Sequence, residues 1–199
     1  MKIIVIGANG TLGKAVVKEL SKRHEIIRVG KKSGDIICDI TSESQIRSMY
    51  KQVGNFDAVA VTAGDVHFEE MAQMTPEKYA VGLQSKLMGQ VNLVLIGTQM
   101  IQSGGSFTLI SGVLSRDPIK SGSSASMVNG AVNAFIKAAA IELPRQIRIN
   151  VVSPTIVVES MDVYGSDFRG FEPVPVSRVG LAFSKSVEGF QTGQVYEVV

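Results

Sequence analysis

The feature that most constrains this chain is its opening. A short apolar run, KIIVI, passes directly into GANGTLG, with Gly7, Gly10 and Gly13 three residues apart. From Thr11 onward, Leu12, Val16, Val17 and Leu20 recur at helical spacing. Strand, glycine turn and helix in that order are the setting in which such glycines carry chemistry. Gly7 allows a tight turn, and a side chain at Gly10 or Gly13 would obstruct a phosphate or the helix–sheet contact. Backbone N–H groups at the turn, around Asn9, Thr11 and Leu12, then face an anion with the helix dipole behind them. The plainer alternative is a strand–helix turn that binds nothing.

The rest of the chain keeps the same alternation. EIIRV and DIIC read as the second and third strands, and SESQIRSMYKQV as a helix with a serine N-cap. DAVAVTAG is a fourth strand. Thr75 and Pro76 then set the N-cap and first position of a helix running to about Gln102. GGSFTLISG is a fifth strand, and SSASMVNGAVNAFIKAAAIEL a long helix. IRINVVSP and QVYEVV complete the strands, with one long loop from Thr155 to Pro175. Repeated β-α units of this kind predict an α/β fold with a doubly wound, mostly parallel sheet and helices on both faces. At 199 residues, 45% hydrophobic and 19% charged, the expectation is one domain over residues 1–199.

Several function classes are disfavoured. A net charge of +2 with no basic stripe argues against nucleic acid, and the longest apolar run, LVLIG, is too short to span a bilayer. Met1 leads straight into KIIVIG, which is no signal peptide. The one cysteine, Cys38, sits in an apolar run and is expected to be buried; with no export signal, the cytoplasm is expected. His24 and His67 lack neighbouring Cys or His partners, so no metal site is expected.

Five short motifs occur in an order that resembles the short-chain dehydrogenases/reductases. They are GANGTLG, DIT at Asp39–Thr41, TAG at Thr62–Gly64, LISG at Leu109–Gly112 and VVSP ending at Pro154. The closing TGQVYEV is similar to that family's last strand. The resemblance implies a Rossmann-type sheet binding NAD or NADP across its carboxyl edge. Asp39 and Ile40 would contact the adenine, Ala63 and Gly64 would lie along the cofactor, and Pro154 and Ile156 would lie near the nicotinamide. Thr155 stands where the family usually has glycine. At the end of the second strand, Lys31 and Lys32 occur with no carboxylate before Asp35. Cations there suit the 2′-phosphate of NADP better than the bare hydroxyl of NAD, unless they are simply solvated lysines.

The same resemblance implies a serine, a tyrosine, a lysine and an asparagine at the reaction centre. Their places fall on Gly112, Ala125, Asn129 and Lys86, so none of the four is kept. The Gly112–Ala125 spacing matches the family's without a gap, and no tyrosine occurs between Tyr79 and Tyr164. Lysine and asparagine have exchanged places. Lys86, partly desolvated, could therefore polarise a carbonyl or donate a proton, with Ser111 assisting. Two functions remain open. One is an oxidoreductase acting on a small carbonyl or alcohol through a non-standard site. The other is a non-catalytic dinucleotide-binding protein, a sensor or an oligomer partner. VNLVLIG and the helix after Asn129 are apolar beyond one face. In the family the corresponding helices often form a dimer or tetramer contact, so a homodimer or homotetramer is expected.

Overall fold

The computed structural model describes all 199 residues. Its strands are β1 (Lys2–Ile6), β2 (Glu25–Gly30), β3 (Ile36–Ile37), β4 (Ala58–Val61), β5 (Ser106–Ile110), β6 (Arg148–Pro154) and β7 (Val195–Val198). They form one sheet of seven strands, ordered β3-β2-β1-β4-β5-β6-β7, with every pairing parallel. The helices are α1 (Thr11–Leu20), α2 (Glu43–Val53), α3 (Pro76–Gly82), α4 (Gln90–Gly97), α5 (Ser123–Glu142), α6 (Met161–Tyr164) and α7 (Val176–Glu188). This is the doubly wound architecture read from the sequence.

Strand periodicity decides the layers. Ile4 and Ile6 pack with Val59, Phe107 and Ile149 under α2, α4 and α5. Ile3 and Val5 point the other way, onto Val16, Leu20 and Phe183 of α1 and α7. Burial of each such side chain contributes about 1.5–3 kcal/mol, so β1 is fixed from both faces. Because β1 pairs with β2 on one side and β4 on the other, the chain departs from it in two directions. The carboxyl ends of these strands therefore border a crevice, which is where ligands bind in open α/β sheets.

Four local readings change. The helix expected to reach Gln102 is α3, a π-helical segment over Leu83–Gly89, and α4 ending at Gly97. Turn-like bonds carry on to the Ile101 amide, and the Gln102 N–H then turns away to the Phe56 carbonyl, at 3.0 Å. The third strand shrinks to two residues, and Cys38 lies just beyond it, buried, with its thiol pushed up to about 11 by desolvation. The segment Thr155–Pro175 is less irregular than a plain loop. Val157 and Val174 form a parallel bridge that closes it, and α6 lies inside. Finally, α7 escaped the sequence reading although Val179, Phe183 and Val187 follow helical spacing and are buried. Gly180 interrupts that pattern where α1 comes close: a β-carbon there would lie 3.0 Å from the Ala15 carbonyl oxygen.

Candidate functional site

The glycine turn is built as its spacing predicts. Gly7 has φ +80°, and a β-carbon on Gly13 would fall 2.0 Å from the Gly7 carbonyl oxygen. No side chain fits at Gly13. Gly10, by contrast, has only that oxygen within reach, at 3.4 Å, so its outer face opens on the crevice. Helix α1 has no side-chain cap, and its first internal acceptor serves Lys14. The amides of Thr11, Leu12 and Gly13 consequently have no acceptor in the chain, an arrangement suited to a diphosphate.

Beside this turn lies a cavity of about 120 Å³ walled by Gly7, Lys31, Asp39, Ile40, Ala63 and Gly64, among others. Six residues expected at the cofactor thus meet in one wall. Asp39 accepts from the Thr41 amide at 3.0 Å and hydroxyl at 2.8 Å, and pairs with Lys31 at 2.9 Å. The Lys31 hydrogen bond is the main reason that its carboxyl titrates below the usual range. Lys32 is exposed and outside that wall. Asn9 ties the turn to the β2–β3 loop, its amide donating to Ser33 Oγ at 2.8 Å. Ser85 was not singled out from sequence. It lines this cavity and accepts from the Asp65 amide at 2.9 Å, fixing the strand end beside Gly64. A lone serine in a helical run carries no signal that could have identified it.

A second cavity, of about 190 Å³, lies farther along the same edge. Lys86, Gly112, Ala125 and Asn129 all line it, with Pro154, Thr155 and Ile156 on the β6 side. The four places implied by the family resemblance thus surround one space. No tyrosine lines it, and the remaining wall is apolar: Val66, Phe68, Val113, Leu114 and Phe168. Asn129 is buried, and its Oδ1 has no hydrogen-bond partner. A β-carbon on Gly112 would approach Asn129 Nδ2 to 3.1 Å, so any side chain there would compete with the amide.

Ser111, expected to assist, stands outside this wall. Its amide donates to the Val152 carbonyl at 3.0 Å, which keeps it in register with β6. It is buried with an unpartnered Oγ, and the next residue, Gly112, forms the wall instead.

Three features place Lys86. It sits in the π-helical segment, whose wider turn breaks the α-helical register, a distortion frequent at functional sites. Gln90, fully buried, donates to the Lys86 carbonyl at 2.7 Å and to the Ile110 carbonyl at 2.9 Å. Its Oε1 accepts from the Ile110 amide, also at 2.9 Å. One side chain thereby fastens the helix to the end of β5. Gly64 lets the lysine stem cross the end of β4 at close range. Desolvation lowers the Lys86 ammonium from 10.5 to about 8, against the opposing influence of Asp65.

A parallel sheet with a glycine-rich β1–α1 turn and two cavities at its carboxyl edge defines a dinucleotide-binding α/β protein. Comparison with known proteins narrows the class. Residues 1–180 match the family model described as enoyl-(acyl carrier protein) reductase. The chain belongs to the short-chain dehydrogenase/reductase family of oxidoreductases. It is similar to the protein lin1944 from Listeria innocua, with 52% identity, a TM-score of 0.99 and full coverage of both chains. An uncharacterized oxidoreductase of Methylorubrum extorquens is 27% identical over 179 residues, 78% of this chain and 72% of that one. A small-chain dehydrogenase solved in complex with NADPH shares the fold at 24% identity and a TM-score of 0.88, covering all of this chain and 96% of that one.

Proposed function

We propose that the protein is an NADP-linked oxidoreductase that reduces a small carbonyl compound through a site in which Lys86 replaces the usual proton-transfer group. The observation that carries this reading is the convergence of Lys86 and Asn129 on one largely apolar cavity beside Pro154 and Ile156. The glycine turn and its three open amides fit a diphosphate, and the 120 Å³ cavity fits the adenosine end. Lys32, an exposed cation near that end, favours NADP over NAD.

When bound, a reduced nicotinamide supplies a hydride to the carbonyl carbon. Everything else falls to the chain. The Lys86 ammonium donates to the carbonyl oxygen, stabilises the charge that develops there and gives up one proton, leaving an alcohol and a neutral amine. An amine titrating near 8 suits that task at neutral pH, being charged beforehand yet able to release its proton. Solvent then reprotonates it. Asn129 presents an amide to the same space and orients a hydroxyl or carbonyl against it. Ser111 has no direct part in this reading, since it lies outside the wall.

Two further elements belong to the proposal. A second copy of the chain covers the α4–α5 face, where Leu95 is 57% exposed beside a cavity of about 310 Å³ formed with Val94, Phe135 and Leu143. The single buried, inert cysteine fits a reducing compartment, the cytoplasm. No helix is long and apolar enough to cross a membrane.

The test is NADPH oxidation over a panel of short aldehydes, ketones and oxo acids, for the natural chain and for Lys86→Met. Turnover that Lys86→Met lowers by about 10²-fold or more supports the reading. Tight NADPH binding with no turnover on any member overturns it.

A further inference from the structure

Lys86 is the one charged residue in the wall of the 190 Å³ cavity. It makes no ion pair in the structure, and Asp65, the acid that acts on it, lines the other cavity. Lys86 is half-buried and its ammonium faces no carboxylate, so the anionic group of a ligand can supply the missing counter-charge. The opposite wall is apolar, with Val66, Phe68, Val113 and Phe168. The only polar side chain in this wall with a buried, unpartnered atom is Asn129. The space therefore has one positive pole, one amide, the Thr155 hydroxyl and an otherwise apolar wall.

We infer that the substrate is a small oxo acid, whose carboxylate pairs with Lys86 and whose apolar chain lies against Val66, Phe68 and Phe168. This rests on the oxidoreductase reading above and names its substrate class. In a 2-oxo acid the carbonyl oxygen and one carboxylate oxygen lie side by side. An ammonium has three N–H donors, so Lys86 can hold both oxygens at once, as counter-ion and as carbonyl polariser. The wall offers no second cation, which disfavours dicarboxylates and phosphate esters.

The inference is tested on the full chain with NADPH present, by calorimetric titration with 2-methylpropanoate and with 2-methylpropanamide. The two probes have the same shape, and neither can be reduced. The acid is expected to bind about tenfold or more tightly than the amide at pH 7. That preference should vanish in Lys86→Met and largely return in Lys86→Arg. Equal affinities, no binding of either probe, or a preference surviving in Lys86→Met would overturn it. A second arm follows NADPH oxidation with 3-methyl-2-oxobutanoate and with its methyl ester. Equal turnover of acid and ester defeats the oxo-acid assignment and leaves the reductase reading standing. Lys86-dependent acid binding with no turnover in either arm does the reverse.

Discussion

Gly64 and Lys86 are in contact across the boundary between the two cavities. A β-carbon on Gly64 would lie 2.6 Å from Lys86 Cδ and 2.8 Å from its Cα, and Gly64 itself has φ +139°. The lysine can reach its cavity because this strand end carries no side chain. Gly64→Ala must therefore both strain the backbone and displace the stem. It is expected to cost about 1–3 kcal/mol in thermal unfolding. It should also lower kcat/KM by about 10²-fold, since the ammonium is moved rather than removed. A variant with the natural chain's melting temperature and turnover would refute the contact.

Lys86 should leave a mark on the pH dependence of stability. Its folded pKa, about 8, lies below its ordinary 10.5, so between those values the unfolded chain binds more protons. Stability accordingly rises with pH through that window, by about 3 kcal/mol over its full width, and the penalty is complete below pH 8. Chemical denaturation from pH 7 to 10.5 should show this rise, with Lys86→Met lacking it. Turnover runs oppositely, falling above about pH 8 as the ammonium loses its proton.

Cofactor choice should rest on Lys32 more than on Lys31. Asp39 already neutralises Lys31, at 2.9 Å, whereas Lys32 has no ion pair and is exposed. Lys32→Ala is expected to weaken NADPH binding about tenfold and to leave NADH unchanged. Fluorescence titration with the two nucleotides checks this, and an equal loss for both would contradict it.

At the opposite edge of the sheet, Glu188 joins α7 to the turn between α1 and β2. It accepts from Arg23 Nε at 2.8 Å and from Ser184 Oγ at 2.6 Å, and it contacts His24 Nε2 at 2.7 Å. Chiefly through Arg23, its carboxyl is lowered from 4.5 to about 2. The resulting stability is present above pH 4.5 and is lost as pH falls toward 2. With the pair partly in solvent, Glu188→Gln should cost about 1 kcal/mol at pH 7, and the difference should shrink across that window.

Leu95→Asp tests the second copy. A charge at the centre of an apolar contact is not tolerated there, so the variant should run as a monomer in light scattering while still binding NADPH. A natural chain that is itself monomeric at micromolar concentration would refute the interface.

The fold was legible because its signals are periodic. Strand runs such as KIIVI and AVAV, separated by helical spacing in α1 and α5, need only the patterning of their own residues. What escaped were features set by distant neighbours. Gly180 in α7 marks close contact with Ala15, and Ser85 matters only because its hydroxyl meets Asp65. Alignment of motifs brought Lys86, Gly112, Ala125 and Asn129 to one cavity. It could not tell that Ser111, one residue from Gly112, is tied to β6 with a buried hydroxyl, because that placement is set by the Val152 carbonyl on a distant strand.

The π-helical segment at Leu83–Gly89 has a consequence for how this site could arise or be lost. A π turn is an α turn carrying one surplus residue. Deleting one residue on its C-terminal side would restore ordinary winding, leave the turns on either side facing as before, and reorient only the residues inside the segment. Gln90 holds the C-terminal part to β5, so the change of direction would fall on the residues inside the segment, Lys86 among them. The aim of the charge is thus set by a count of residues as much as by their kind. A one-codon deletion could retire the site while leaving every named side chain in the chain.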